Sequence, residues 1–123
     1  MTPQSIPTRS DVETVNTVHL VGRVSWGPEP RVLPSGDEVV QLRIVVPRPV
    51  RRGQGARAED SRSQVDAIEV ACWSARTRAA ALRLSVDDYA DLEGSLRRRF
   101  YAAGAGRVSR YEVEAHRLRR VRP

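Results

Sequence analysis

Three consecutive arginines, Arg97–Arg99, stand directly before two aromatic residues, Phe100 and Tyr101. A guanidinium group is planar, keeps its positive charge and forms paired hydrogen bonds with phosphate oxygens. An aromatic ring at a protein surface can stack on a nucleobase without reading the base sequence. A run of arginines that ends in aromatic residues therefore indicates a surface for a polyanion that also carries flat rings.

The charge of the whole chain points in the same direction. All 21 basic side chains of the 123 residues are arginines, and 15 acidic side chains leave a formal net charge of +6. Such a balance fits a polyanionic partner, of which nucleic acid is the leading candidate. A GC-rich genome would produce the same preference for arginine, so the charge supports binding without identifying the ligand.

The residues that enzymes and metal sites need are scarce. Cys72 is the one cysteine, and together with His19 and His116 it makes too small a set for a structural zinc site. No nucleophile–histidine–acid grouping, Walker-type loop or paired-carboxylate motif is supported. No apolar run approaches the roughly 20 residues of a membrane span, and Met1 to Glu13 lacks the apolar segment of a secretory signal. We therefore expect a cytoplasmic binding protein with no cofactor, metal, membrane segment or small-molecule substrate.

Five stretches of the chain alternate apolar and polar side chains with the two-residue period of a β-strand. The predicted strands cover approximately residues 16–24, 39–46, 65–73, 90–101 and 108–118. Gly27, Pro28 and Pro30 are expected to end strand one, which places Trp26 in a turn and assigns it to packing or an interface. A short helix over about 75–84, with Ser74 as its N-cap, lies between strands three and four. This order predicts an all-β fold, a five-stranded Greek-key barrel of the OB type.

The phase of the alternation separates a core face from an outer face on strands three and four. The predicted core residues of strand three are Ile68, Val70 and Cys72, and those of strand four are Leu92, Leu96 and Phe100. The opposite faces carry Trp73 on strand three and Arg97, Arg99 and Tyr101 on strand four. The aromatic and basic residues are therefore predicted to lie outside the barrel.

The chain is organised as one domain with two irregular segments. Residues 1–14, which contain prolines, serines and threonines, are predicted to form a flexible leader before a domain over residues 15–121. Residues 47–64 hold five arginines, two glycines and two prolines, and predict a long mobile basic loop. Arg51 and Arg52 in this loop are candidates to clamp a bound strand, although its arginines could equally serve only to keep the loop in solution.

Several short motifs follow one another along the chain. They are Asn16-x-Val18-x-Leu20-Val21-Gly22, Pro28-Glu29-x-Arg31-x-x-Pro34-x-Gly36, Val70 to Trp73, Leu92-Glu93-Gly94-x-Leu96-Arg97, and Arg110-Tyr111 leading to Glu114. In this order and spacing the chain resembles the bacterial single-stranded DNA-binding protein family over about residues 16–118. The resemblance implies an OB-fold that holds single-stranded DNA in a basic groove, stacks bases on aromatic rings and assembles as a homotetramer or a dimer.

The resemblance also assigns the candidate DNA-binding residues. Trp73 and Tyr101 match positions at which the family carries stacking aromatics. The arginines implied to neutralise phosphates are Arg97 and Arg99, with Arg23 and Arg31 as further candidates. Strand one of a small barrel is also expected to leave an open edge, through which copies of the chain could pair.

The chain departs from the family in three respects. Val50 and Ala67 occupy positions where the family commonly has tryptophan, and Glu69 puts a carboxylate on the expected DNA face. The chain ends on the basic stretch Arg119 to Pro123, where the family often has an acidic tail, so that truncation and a true lack of the tail both stay open. Two alternatives follow: an accessory subunit of the same fold with weak DNA binding, or an RNA-binding OB module.

Overall fold

The computed structural model describes residues 11–49, 64–103 and 106–123, except for the side chains of 101–103. The described chain forms β1 (Val18–Val32), β2 (Glu38–Pro47), β3 (Val65–Cys72), α1 (Ala75–Leu82), β4 (Tyr89–Ala103) and β5 (Gly106–Val121). Most of the predicted leader and of the predicted loop, including Arg51 and Arg52, lies outside these ranges. Within them, no helix is long and apolar enough to cross a membrane.

The strands close into a barrel in the order β1-β2-β3-β5-β4, and α1 lies between β3 and β4 in the chain. Neighbouring strands are antiparallel except β3 and β5, which run parallel. The predicted fold class is confirmed. β1 pairs with β4 over Val18–Arg23 and with β2 over Arg23–Val32, so in the described part of the chain each half of this strand is paired on one side, and the open edge expected at strand one stays a prediction.

The barrel is filled from alternate positions of its strands. Val24 on β1, Leu42 and Ile44 on β2, Val70 on β3 and Leu92 on β4 are each at most 1% exposed. Burying a side chain of this size contributes about 1.5–3 kcal/mol to folding. This contribution fixes which face of each strand points inward, and the core face predicted for strand three is confirmed.

Helix α1 begins where the sequence predicts and packs against the barrel. The Oγ of Ser74 accepts a hydrogen bond from the backbone N–H of Thr77 at 3.1 Å, which satisfies a free donor of the first turn. Ala81 and Leu84 belong to the barrel core. The helix itself ends at Leu82, two residues before the predicted end.

The predicted end of strand one at Gly27 is wrong, since β1 continues to Val32. The strand passes this region through two register shifts, between Val24 and Trp26 and between Trp26 and Glu29. In the first shift Val24 pairs with Ile44 and Trp26 with Arg43, so one residue of β1 has no partner position on β2. Such a bulge lets a strand bend where regular pairing would stop.

The hairpin of β4 and β5 extends beyond the closed barrel. On β4, pairing with β1 stops at Gly94, and on β5 the described pairing with β3 involves Val113 and Glu114. We call the remainder, residues 97–103 of β4 and 106–112 of β5, the arm. Phe100 in the arm and Leu96 just before it are 55% and 45% exposed, so their prediction as core residues is wrong, because no third strand of the described chain covers them.

Cys72 offers a chemical test of the barrel core. The thiol is fully buried, and this burial raises its pKa to about 12. Only the thiolate is reactive, so we expect a thiol reagent to label Cys72 slowly in the folded protein and rapidly in denaturant. Because folding raises the pKa of the thiol, neutral Cys72 favours the folded state fully at pH values below the usual thiol pKa. The free energy of unfolding is expected to fall as the pH rises above that value. Equal labelling rates in both states would contradict the buried position.

Candidate nucleic-acid interface

One outer face of the barrel carries an aromatic ring, a cation and an anion in a row across three strands. Trp26 on β1 is the register partner of Arg43 on β2, which is in turn the partner of Glu69 on β3. The guanidinium of Arg43 lies 5.7 Å from the centroid of the Trp26 ring, and its Nε donates to Glu69 Oε2 at 2.7 Å. The carboxylate that sequence reasoning expected to repel phosphate is therefore paired with an arginine on its own face.

A groove of about 450 Å³ lies beside this row. It is lined by Trp26, Glu29, Arg31, Gln41, Arg43, Glu69, Val108 and Arg110. Val108 and Arg110 come from the arm, whereas Trp26 comes from β1. The groove therefore exists only because folding brings the arm against strands that are distant in sequence.

Trp73 follows the last residue of β3 and is half-buried. The guanidinium of Arg99 lies over its ring, 4.6 Å from the centroid, as in a cation–π pair. The indole Nε1 is buried and has no hydrogen-bond acceptor among the described residues. One ring face of Trp73 is thus covered by Arg99, and stacking of a base requires the other face or displacement of the guanidinium.

Arg97 and Arg99, the first two arginines predicted to meet phosphates, are both held in ion pairs. Arg97 Nε donates to Glu114 Oε1 at 3.0 Å, and Arg99 Nε donates to Glu112 Oε2 at 2.7 Å. Glu112 is only 5% exposed, so Arg99 compensates a carboxylate that water hardly reaches. A phosphate at Arg97 or Arg99 would have to share these guanidinium groups with the carboxylates of β5.

Arg110 connects the groove with the Trp73 region. It is the register partner of Arg99 across the arm, so the two side chains leave the hairpin on the same face. Arg110 is exposed, and within the described ranges no carboxylate pairs with it. Its charge is therefore available to a phosphate.

The remaining predicted site residues are dispersed. Arg31 lines the groove, where its Nη1 donates to Gln41 Oε1 at 3.1 Å. Arg23 lies elsewhere, in an ion pair with Asp87 at 2.9 Å. The backbone of Tyr101 pairs with Val108 in the arm, but its side chain, like Arg51 and Arg52, is outside the described part of the chain.

The other face of the arm carries a second set of arginines on aromatic rings. The guanidinium of Arg98 lies 5.2 Å from the ring centroid of Phe100 and 5.6 Å from that of Tyr111. Arg107 lies 5.3 Å from the centroid of Phe100. Phe100 and Tyr111 are 55% and 61% exposed, so this face offers rings that the sequence assigned to the core or left without a role.

A cavity of about 510 Å³ beside α1 has a different character. His19 Nε2 lies 2.8 Å from Asp91 Oδ1, and Arg119 Nη2 donates to Asp91 Oδ2 at 3.1 Å. The hydrogen bond with His19, supported by the charges of His19 and Arg119, lowers the pKa of the Asp91 carboxyl. Arg117 pairs with Glu93 at 2.8 Å. These arginines already have carboxylate partners, so we do not assign the cavity to a polyanion.

Three residues of the interface were missed from the sequence: Trp26, Arg43 and Arg110. Arg43 stands between the core residues Leu42 and Ile44, so its outward phase was readable. The orientation of Trp26 was not, because uninterrupted alternation from Val24 would turn its side chain inward. The bulge in β1 reverses that phase, and a bulge has no reliable signal in a single sequence.

The sequence profile of the single-strand binding protein family matches residues 15–121. The chain is 30% identical over 93 residues to a "Single-stranded DNA-binding protein 3" from Listeria innocua, which is 76% of this chain and 54% of that protein. It is 31% identical over 110 residues to a "Single-stranded DNA-binding protein" from Halalkalibacterium halodurans, which is 89% of this chain and 62% of that protein. The chain thus spans less than two thirds of the length of either relative.

A solved structure of similar fold is a Plasmodium falciparum SSB in complex with ssDNA. The TM-score is 0.72 and the sequence identity 16%, with 90% of this chain and 98% of the other covered. At this identity the similarity concerns the fold alone. It agrees with the OB-type barrel predicted from the strand order.

Proposed function

The chain belongs to the single-strand binding protein family, and from this membership we propose that it binds single-stranded DNA with little sequence preference. The observation that carries the proposal is the pairing of indole rings with arginines on the outer surface, Trp26 with Arg43 and Trp73 with Arg99. An aromatic ring can stack on any base, and an arginine can donate hydrogen bonds to the phosphate of any nucleotide. Such a surface binds a strand without reading its sequence.

Binding would proceed by electrostatic capture and then by stacking. Arg31 and Arg110 line the groove and offer charge to phosphates, while Trp73 and Tyr101 are the proposed stacking rings. The guanidinium of Arg99 is itself a flat cation on which a base can stack. The remaining proposed contacts are Arg23, Arg97, Arg51 and Arg52, the last two from the segment that we propose closes over the strand.

The proposed role is to protect exposed single strands during replication, recombination or repair. We expect a homotetramer, with a dimer as the simpler alternative, located in the cytoplasm on the nucleoid. A binding surface without a catalytic constellation suffices for this role, and we propose no enzymatic activity.

The test is a titration of intrinsic tryptophan fluorescence with an oligo-dT strand. We expect saturable quenching, because a base that stacks on an indole shortens the lifetime of the indole's excited state. We also expect a matching shift in gel mobility. A double-stranded oligomer of equal length is the control and should bind far more weakly. Absence of both quenching and gel shift would refute the proposal, and stronger binding of a matched RNA oligomer would favour an RNA-binding module instead.

A second function, that of an accessory subunit with weak DNA binding, is favoured by one observation. Arg97 and Arg99 are paired with Glu114 and Glu112, which leaves less free positive charge on the arm than the sequence indicates. In that case this chain alone would bind oligo-dT poorly. Co-expression with a longer family member would then give mixed oligomers that bind tightly, whereas tight binding by the chain alone would exclude this role.

A further inference from the structure

We propose that Trp26 is a base-stacking residue and that the groove beside it is a subsite for one nucleotide of single-stranded DNA. This inference rests on the proposed function and adds a specific place on the protein to it. The sequence assigned Trp26 to packing or an interface, and the following contacts argue against packing.

The backbone of β1 directs the side chain of Trp26 outward, so its exposure does not come from a position in a loop or at a chain end. The bulge between Val24 and Trp26 reverses the alternation of β1 and turns the indole away from the core. As a result Trp26 is 37% exposed, whereas Val24 is fully buried. A large ring held on a strand but outside the core loses little conformational freedom when a ligand stacks on it.

The ring is also fixed from one side. Arg43 lies over the indole, and its guanidinium is anchored by the 2.7 Å hydrogen bond to Glu69. The charge of Arg43 is thereby compensated within the protein, so its main effect on Trp26 is to hold the ring in place. A base that stacks here meets a prearranged surface, which is what sequence-tolerant stacking requires.

The groove supplies the other contacts that a nucleotide needs. Its volume of about 450 Å³ lies within the range of pockets that bind small ligands. Arg110, which has no carboxylate partner among the described residues, is placed to receive the phosphate, and Val108, 45% exposed, adds apolar surface. Arg110 is the register partner of Arg99, and Arg99 lies over Trp73, so neighbouring arginines link the groove to the second indole, and we expect one strand to reach both.

The experiment compares oligo-dT binding by the full chain and by three variants. Trp26→Ala is expected to lower the affinity about tenfold, within the effect of losing one stacked base, whereas Trp26→Phe keeps a ring and should retain most of the affinity. Tyr89→Ala is the matched control, because Tyr89 is an aromatic strand residue of similar exposure, 39%, that does not line the groove. The Trp26→Phe protein should also lose part of the fluorescence quenching seen with the full chain.

Each outcome has a distinct meaning. If the unaltered chain does not bind oligo-dT, the proposed function fails and the inference fails with it. If it binds but Trp26→Ala binds equally well with unchanged quenching in Trp26→Phe, the subsite is wrong while the function stands. A loss of affinity accompanied by a change in molecular mass, measured by light scattering, would identify the groove as an interface between copies and would overturn the inference.

Discussion

Replacement of Gly94 by alanine is expected to lower the free energy of unfolding by about 3 kcal/mol or more, at the upper end of overpacking effects. A Cβ at Gly94 would lie 2.0 Å from the carbonyl oxygen of Glu114, 2.9 Å from its carbonyl carbon and 3.1 Å from the Cα of Ala115. All three are backbone atoms and cannot rotate away. The position lies where the pairing of β4 and β5 shifts register, so the two backbones approach each other more closely than a side chain permits.

The measurement is equilibrium unfolding in urea, followed by circular dichroism. Gly106→Ala is the control, since a Cβ there would meet no atom within 4 Å, and we expect a change of at most about 0.5 kcal/mol. Equal stability of the two variants would show that β4 and β5 are not packed as closely as described.

The affinity for single-stranded DNA is expected to fall steeply with salt. Each phosphate neutralised by an arginine contributes a slope of about −0.7 in the logarithm of affinity against the logarithm of salt concentration. With roughly three to four phosphates engaged, an increase from about 50 mM to about 200 mM salt should weaken binding roughly 20- to 50-fold. Oligo-dT titrations at several salt concentrations measure this slope, and a flat dependence would contradict electrostatic capture.

Two variants that each lose one positive charge test which part of the surface causes the salt dependence of binding. Arg110→Gln and Arg119→Gln each remove one positive charge from β5, but Arg110 lines the groove whereas Arg119 is paired with Asp91 beside α1. We expect the salt slope to become shallower by about 0.7 for Arg110→Gln and to stay nearly unchanged for Arg119→Gln. Equal changes in both would mean that only the net charge of the chain matters.

The two candidate tryptophans show how far sequence reasoning reaches. Trp73 was found by its match to a family position, and the structure places it on the outer surface, half-buried under Arg99. Trp26 has no such match, and only the bulge in β1 shows that its side chain faces outward. Resemblance can point to residues that a family shares, but a residue particular to this chain needs the geometry of its own backbone.

For the arginines of β4, the sequence predicted the face on which they lie but not their ion-pair partners. That the arginines at 97 and 99 leave one face of β4 followed from alternation, because the period of a strand is local. Their pairing with Glu114 and Glu112 did not, since it depends on the register between β4 and β5. A change of register by one residue would bring other side chains opposite them.

The sequence by itself determined the all-β character, the membership of the family, the core positions of β3 and the cap of α1. Each of these depends on neighbouring residues or on motifs in fixed order. Only the tertiary structure decided that Trp26 faces outward, that Glu69 is neutralised by Arg43 and that Arg110 lies beside the groove with no carboxylate partner among the described residues. Those features depend on distances between strands far apart in the chain, and these distances are set by closure of the barrel, which no local pattern encodes.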